Sequence, residues 1–307
     1  SNLLIDLTKY KEATELAERV ARLQPNNISY KLDIGYILLK QGKLPESDKK
    51  FTEIIEAYSP DQFQVKQIAD YFSSKRLLSY AEQVYRAGRK STGAATLYTL
   101  ELANILRLMG KTKEMVNEYL MYTTQTPSNI AYIKNLLQMF LTTEEDQDAL
   151  QQTLIIKIQE QPDSEVFADL LIWTYIQQKD FAGAAIQSKA FDRRFGEGNP
   201  TKTYELAQIA FNNKDYSIAQ SCYDYIITRY RNSELYTPSR LGYIRAMEEH
   251  VKSIRPVKAD SIRTIIQQYT GFSRQFPDNS NTFEAIISQA RLYAFYLNHL
   301  DSATYLL

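Results

Sequence analysis

The chain has 307 residues, and its 36 Lys+Arg balance 36 Asp+Glu, giving a formal net charge of zero and a pI of about 6.7. That balance excludes a global field that would draw in a polyanion, so any such contact would need a local patch. A single cysteine, Cys222, excludes an internal disulfide framework, and two histidines, His250 and His299, argue against a multi-histidine metal centre.

No run approaches the roughly 18 apolar residues needed to span a bilayer. Gly and Pro are scarce at 10 and 9 while Tyr reaches 23, which favours helices over a fold built on many tight turns. The first residues, Ser1, Asn2 and Leu3, include neither an initiator Met nor a signal-type apolar stretch, as expected of a processed or excised segment.

A repeat organises the chain. Residues 8–24 read as the second helix of a pair whose first helix is missing, and the small residue Ala13 marks it. Stepping on from Ala13, equivalent positions fall at Ser47, Ala81, Met115, Leu150, Ala184 and Ala219, at spacings of 34, 34, 34, 35, 34 and 35. Four residues beyond each marker stand Ala17, Phe51, Tyr85, Tyr119, Leu154, Ser188 and Tyr223, mostly large. Three residues before it stand Tyr10, Leu44, Leu78, Thr112, Gln147, Phe181 and Tyr216, mostly apolar, so the spacing predicts that all three positions share one buried helix face. Twelve or thirteen residues upstream of the markers, Ile34-Gly35, Ile68-Ala69, Leu102-Ala103, Leu171-Ile172 and Leu206-Ala207 place a second helix in each unit. Gly42 and Gly110 punctuate first-helix ends, and Pro25, Pro60, Pro127, Pro162 and Pro277 punctuate second-helix ends.

The expected units are 1–26 (partial), 27–60, 61–94, 95–128, 129–163, 164–199, 200–234, 235–279 and 280–307 (partial), forming one superhelical domain over 1–307. The fifth carries the acidic run 142–148 in its turn. The eighth is stretched, with 253–260 between its helices and Ile265 as its marker, and the last pair includes Ala290 and Ala303. The stretches 33–60 and 101–127 carry the pattern most clearly. Here the chain resembles the tetratricopeptide repeat (TPR) family, whose 34-residue helix–turn–helix places small residues where helices cross. The resemblance implies an all-α fold, a right-handed α-solenoid of antiparallel helix pairs with about eight to nine repeats including partial ones at both ends. Gly35, Ala69, Ala103, Ala207, Ala81, Ala184 and Ala219 are then the close-contact positions, and the large residues four beyond each marker fill the space toward the next repeat.

Other signals have plainer readings. Cys222 lies inside a helix without a neighbouring Cys or His, as a packed thiol does. The glycine-containing stretch 193–200 lacks a preceding strand and the Gly-Lys-Ser/Thr ending of a phosphate loop, and reads as a linker. The acidic 144–146 suits a solvated helix start. Arg255, Lys258, Arg263, Arg229, Arg231 and Arg240 form a basic cluster, and the tyrosines at repeat positions are core residues rather than a base-stacking series.

The resemblance implies that the exposed face of each first helix is the partner-binding strip: Tyr36, Lys66, Asp70, Asn104, Arg107, Asn135, Met139, Asp169, Trp173, Tyr204, Gln208, Phe211 and Tyr243. Its aromatic and amide character favours a protein surface or an extended peptide. The version of the family that holds a C-terminal carboxylate with Lys and Asn is not reproduced, because Lys66 is followed by Asp70 where Asn is wanted. The expected function is a non-catalytic protein- or peptide-binding scaffold within a multiprotein assembly, with no cofactor and no metal. The alternatives are an RNA-binding helical-repeat protein, opposed by the neutral charge, and an all-α enzyme, for which no acid/base constellation stands out. The style of the sequence resembles exported Bacteroidetes repeat proteins, so a periplasmic location is expected, with cytoplasm as the alternative.

Overall fold

The Lys-Asp-aromatic steps at 179–181 and 214–216 each close one helix and open the next. In the computed structural model, which describes residues 2–307, Lys179 and Lys214 adopt left-handed φ values of 57° and 66°. Asp180 N–H then donates to the Tyr175 carbonyl at 2.9 Å, and Asp215 N–H to the Ala210 carbonyl at 2.9 Å, the six-residue closure that satisfies orphan carbonyls at a helix end. The aspartates go on to cap the following helices, accepting from Gly183 N–H at 2.8 Å and Ile218 N–H at 3.1 Å. The same left-handed residue recurs at Thr8, Gly42, Arg76 and Gly110, followed each time by a closing bond such as Lys43 N–H to Leu38 O. Glycine takes the conformation freely at 42 and 110. The other residues hold it at a cost of about 1–2 kcal/mol, offset by the bonds it completes.

Every described element is helical, and the chain divides into two compact units, Ser1–Thr142 and Thr143–Leu307. The first contains α1 (Asn2–Asp6), α2 (Tyr10–Leu23), α3 (Ile28–Lys40), α4 (Leu44–Tyr58), α5 (Gln62–Ser74), α6 (Leu78–Thr92), α7 (Thr99–Leu108), α8 (Thr112–Gln125) and α9 (Ile130–Phe140), with a 3₁₀ turn at Pro127–Asn129. The second contains α10 (Glu144–Glu160), α11 (Glu165–Gln177), α12 (Phe181–Phe195), α13 (Thr201–Asn212), α14 (Tyr216–Arg229), α15 (Tyr236–Ser253), α16 (Ala259–Gln275), α17 (Ser280–Tyr296) and α18 (Leu300–Leu306). Neighbours in sequence pack as pairs: α3 with α4, α5 with α6 and α7 with α8 in the first unit, and α11 with α12, α13 with α14, α15 with α16 and α17 with α18 in the second. The second helix of one pair also packs on the first helix of the next, as α14 does on α15.

The marker register is the core. Ala13, Ser47, Ala81, Met115, Leu150, Ala184, Ala219 and Ile265 are all buried, and so are Phe51, Tyr85, Tyr119, Leu154, Ser188, Tyr223 and Tyr269 four residues on. The crossing of α3 and α4 shows why small residues are required. A Cβ on Gly35 would stand 2.5 Å from the Phe51 ring, and Ser47 Oγ donates to the Gly35 carbonyl at 2.9 Å. Phe51 continues outward, its ring centroid 4.8 Å from Phe72 and 4.9 Å from Tyr80 in the following pair. Between pairs in the same unit, the Arg89 guanidinium grips Glu118 with two bonds, Nη1 to Oε1 at 2.8 Å and Nη2 to Oε2, while its Nε donates to the Leu97 carbonyl. This forked geometry fixes α6 against α8 and ties down the 93–98 connection.

The position three before the marker departs from expectation. Leu44 is exposed and Tyr10, Leu78, Thr112, Gln147 and Tyr216 are half-buried, with only Phe181 buried. Except for Gln147, each of these residues is the first of its helix, directly after the left-handed turn, and sits at the rim before the helix descends into the core. The acidic run of the fifth unit opens α10, where Thr143 Oγ1 accepts from Asp146 N–H at 3.1 Å and Glu144 and Glu145 lie at the positive end of the helix dipole.

One helix is capped from outside its own turn. Pro200 precedes α13 and offers no capping side chain, but the buried Asp192 on α12 accepts from Lys202 N–H at 3.1 Å and Thr203 N–H at 2.8 Å. Burial pushes the Asp192 carboxyl above its ordinary range even against these donated bonds.

Candidate binding face

In the first unit the residues of the expected strip occupy four first helices. Tyr36 on α3 is half-buried between two ammonium groups, Lys40 Nζ at 5.3 Å and Lys75 Nζ at 4.7 Å from its ring centroid. Lys66 and Asp70 stand exposed on α5, as do Asn135 and Met139 on α9. On α7, Asn104 and Arg107 are brought together: Arg107 Nη2 donates to Asn104 Oδ1 at 2.9 Å, and the guanidinium stacks 4.6 Å from the Phe140 ring.

In the second unit Asp169 and Trp173 lie half-buried on α11, and Asp169 Oδ1 pairs with Lys202 Nζ at 2.6 Å, linking α11 to α13. Burial alone would lower the Lys202 ammonium, but the bond to Asp169 together with the nearby charges of Asp169, Glu205 and Asp192 outweighs it and holds the ammonium above its ordinary range. Tyr204, Phe211 and Tyr243 are half-buried aromatics packed on the core around Leu206, Ala207, Ala219 and Tyr223. Gln208 is exposed between them.

Gln208 and Phe211 also line a cavity of about 300 Å³, together with Asn212, Tyr223, Gly242 and Arg245. Here strip residues from the sequence share a concave site with Asn212, Gly242 and Arg245, which the sequence reading passed over. Gly242 falls 35 residues after Ala207, so Leu241-Gly242 is the eighth unit's version of the apolar-small pair, a signal present in the sequence. A Cβ there would stand 2.6 Å from Tyr223 Cζ. Arg245 follows three residues later, where the other first helices place Leu38, Phe72, Leu106, Phe140, Tyr175 and Ala210, all buried or half-buried; the arginine is exposed.

Cys222 is fully buried in the same core, and burial pushes its thiol up to about 11. An aromatic disulfide reagent at pH 8 is expected to leave the folded protein unlabelled over the time that labels the urea-unfolded chain completely. Rapid labelling of the native state would show that the α12–α14 core opens readily.

The deciding observation for the architecture is that small residues admit large rings at both kinds of crossing: Gly35 under Phe51 within the pair α3–α4, and Gly242 under Tyr223 between pairs at α14–α15. Its repeats are antiparallel helix pairs that resemble those of the tetratricopeptide type. No family model matches the chain, and no curated relative does. Among solved structures, it is similar to Pseudomonas aeruginosa pilF at 17% identity, over 76% of this chain and 97% of that one, with a TM-score of 0.28. A tetratricopeptide repeat protein from Parabacteroides merdae matches at 12% identity over 77% and 93% of the two chains, with a TM-score of 0.29. Yeast Tom70 matches at 10% identity over 99% and 81%, with a TM-score of 0.35. The helix-pair description accordingly stands on the repeat's own geometry.

Proposed function

We propose that the chain is a non-catalytic scaffold that binds a protein or an extended peptide along the exposed faces of its first helices. The observation that supports this reading is the fixed alternation there. The small or apolar residues Gly35, Ala69, Ala103, Ile172, Ala207 and Gly242 are turned to the core or lie against it. The next residues, Tyr36, Asp70, Asn104, Trp173, Gln208 and Tyr243, form a half-buried or exposed surface of aromatics, amides and one carboxylate. Aromatics offer contact area at little entropic cost, and amides pair with a peptide backbone.

Trp173 is the expected anchor. Capture of partners from the source organism with wild type and with Trp173→Ala, at matched thermal midpoints, is expected to lose at least one partner in the variant, by about 30-fold in affinity when that partner is purified. The retained partner should also slow amide hydrogen exchange in α11 and α13. Equal recovery of every partner by the two proteins would overturn the assignment of this face.

A further inference from the structure

The residue directly after the cap that ends a second helix is proline in five units: Pro25, Pro60, Pro127, Pro162 and Pro277. Proline suits that place because it has no N–H to satisfy and cannot continue the helix. The seventh unit breaks the rule. Tyr230 caps α14, Arg231 stands where the proline would be, and Arg229 is the last helical residue. The N–H groups of Arg231 and Asn232 have no acceptor among the described residues. A departure from a chain's own pattern that gains no internal bond is where function is to be sought.

Both arginines line an open cavity of about 460 Å³, formed by residues 228–233 and by Gly198 in the preceding loop. No carboxylate is on its wall, and among the described residues neither guanidinium has an ion pair or hydrogen bond. Other exposed arginines on nearby helices do find counter-charges: Arg194 meets Asp163 at 2.8 Å and Arg263 meets Asp260 at 2.7 Å. Two like charges on one wall repel, and an anion between them would reverse that term. Acidic groups in the surroundings are engaged or off the wall. Asp192, whose charge reaches Tyr230, is buried under the amides of Lys202 and Thr203, while Arg193 acts on Tyr230 in the opposite sense. Glu197 and Glu234 are exposed neighbours in sequence that do not line the cavity. The carbonyl end of α14 contributes about half a negative charge, less than the two guanidiniums together. Tyr230 gives the wall a fixed ring, held edge-on to Tyr225 at a centroid distance of 5.7 Å.

We propose that this cavity binds a phosphate dianion, either inorganic phosphate or the monoester of a small organic phosphate, held by the guanidiniums of Arg229 and Arg231 with the amides of Arg231 and Asn232 as further donors. Two planar forks match the charge and the several oxygens of a dianion, whereas a carboxylate is satisfied by one. The volume is in the range of small-molecule sites, leaving room for an organic part against Tyr230 and the polar side chains of Asn232 and Ser233. A nucleic-acid strand would need a longer basic track than two residues on a chain of zero net charge. The site lies at the end of a second helix and is independent of the first-helix face.

The test uses the full chain, labelled for amide NMR and titrated at physiological ionic strength and about pH 8, where a phosphate monoester is a dianion. The probes are inorganic phosphate, glycerol 2-phosphate and, as a monoanionic diester, dimethyl phosphate. The first two are expected to shift the amides of Gly198, Arg231 and Asn232 at least tenfold more tightly than the diester, and the tighter of them identifies the source of the dianion. Arg231→Gln, at an exposed position where folding is not at stake, should weaken that probe by on the order of tenfold or more. Arg231→Lys, which keeps the charge and loses the fork, should fall between. Arg274→Gln removes an exposed, unpaired arginine that is off the wall, and should bind like wild type. If no probe shifts these amides, if the diester binds as tightly as the dianions, or if Arg274→Gln weakens binding as much as Arg231→Gln, the phosphate site is overturned. Trp173→Ala should leave phosphate binding unchanged, so failure here does not touch the peptide-binding reading.

Discussion

Ala219→Arg is expected to lower the stability of the second unit by about 4 kcal/mol or more, or to leave it unfolded at 25 °C. The methyl of Ala219 is fully buried among Leu206, Ala207, Ala210 and Cys222. An arginine there meets two costs. Overpacking a close helix crossing costs about 1–3 kcal/mol, and a guanidinium buried without a counter-charge adds a further 3–5 kcal/mol unless it escapes to solvent. Ala182→Arg is the control, because that position is exposed on α12 two residues before a marker, and its change should stay within about 0.5 kcal/mol. Urea unfolding followed by circular dichroism checks both. An unchanged midpoint for Ala219→Arg would mean that the repeat register is misplaced.

Phe51→Ala should cost about 3–5 kcal/mol, since it empties a fully buried aromatic site and removes edge contacts to Phe72 and Tyr80. Its partner makes the more specific case. Gly35→Ala would gain up to about 1 kcal/mol of helix propensity on an unconstrained helix. Here the added methyl lands 2.5 Å from a ring held on its other sides by Phe72 and Tyr80, so the substitution should destabilise by about 1–3 kcal/mol. Combining Gly35→Ala with Phe51→Leu should cost less than the sum of the two single changes, because the branched aliphatic chain vacates the space the methyl needs. Strict additivity in a denaturant-based double-mutant cycle would show that the two residues do not share that space.

The core was legible in the sequence because burial by position is a periodic property. A helix pair repeated every 34 or 35 residues turns the same side chains inward each time, so Ala81, Ala184 and Ala219 announce themselves by spacing alone. The rim was less legible. Leu44 matches the apolar pattern yet lies exposed at the first turn of its helix, where an apolar residue has no face to bury against. The left-handed turn residue was half-visible: glycine signals it at 42 and 110, whereas lysine at 179 and 214 or Arg76 carries no such mark. The strip of exposed first-helix residues follows from the register, but the cavity does not. On its wall the eighth unit puts Arg245 at a position that is core-facing in the other first helices, a departure from the repeat visible only after Leu241-Gly242 is aligned with the earlier pairs.

Repeat proteins are commonly treated as strings of interchangeable modules, to be lengthened, shortened or shuffled at the loops. The carboxylate of Asp192 sets a limit on that practice in this chain. It belongs to the sixth unit but completes the first turn of the seventh unit's opening helix, through the amides of Lys202 and Thr203. A cut in the 196–200 loop would therefore separate a helix from its cap while leaving a buried carboxylate without its donors. These two units should be transplanted only as a block, and a graft that joins α13 to a foreign second helix should carry an aspartate at the position equivalent to 192.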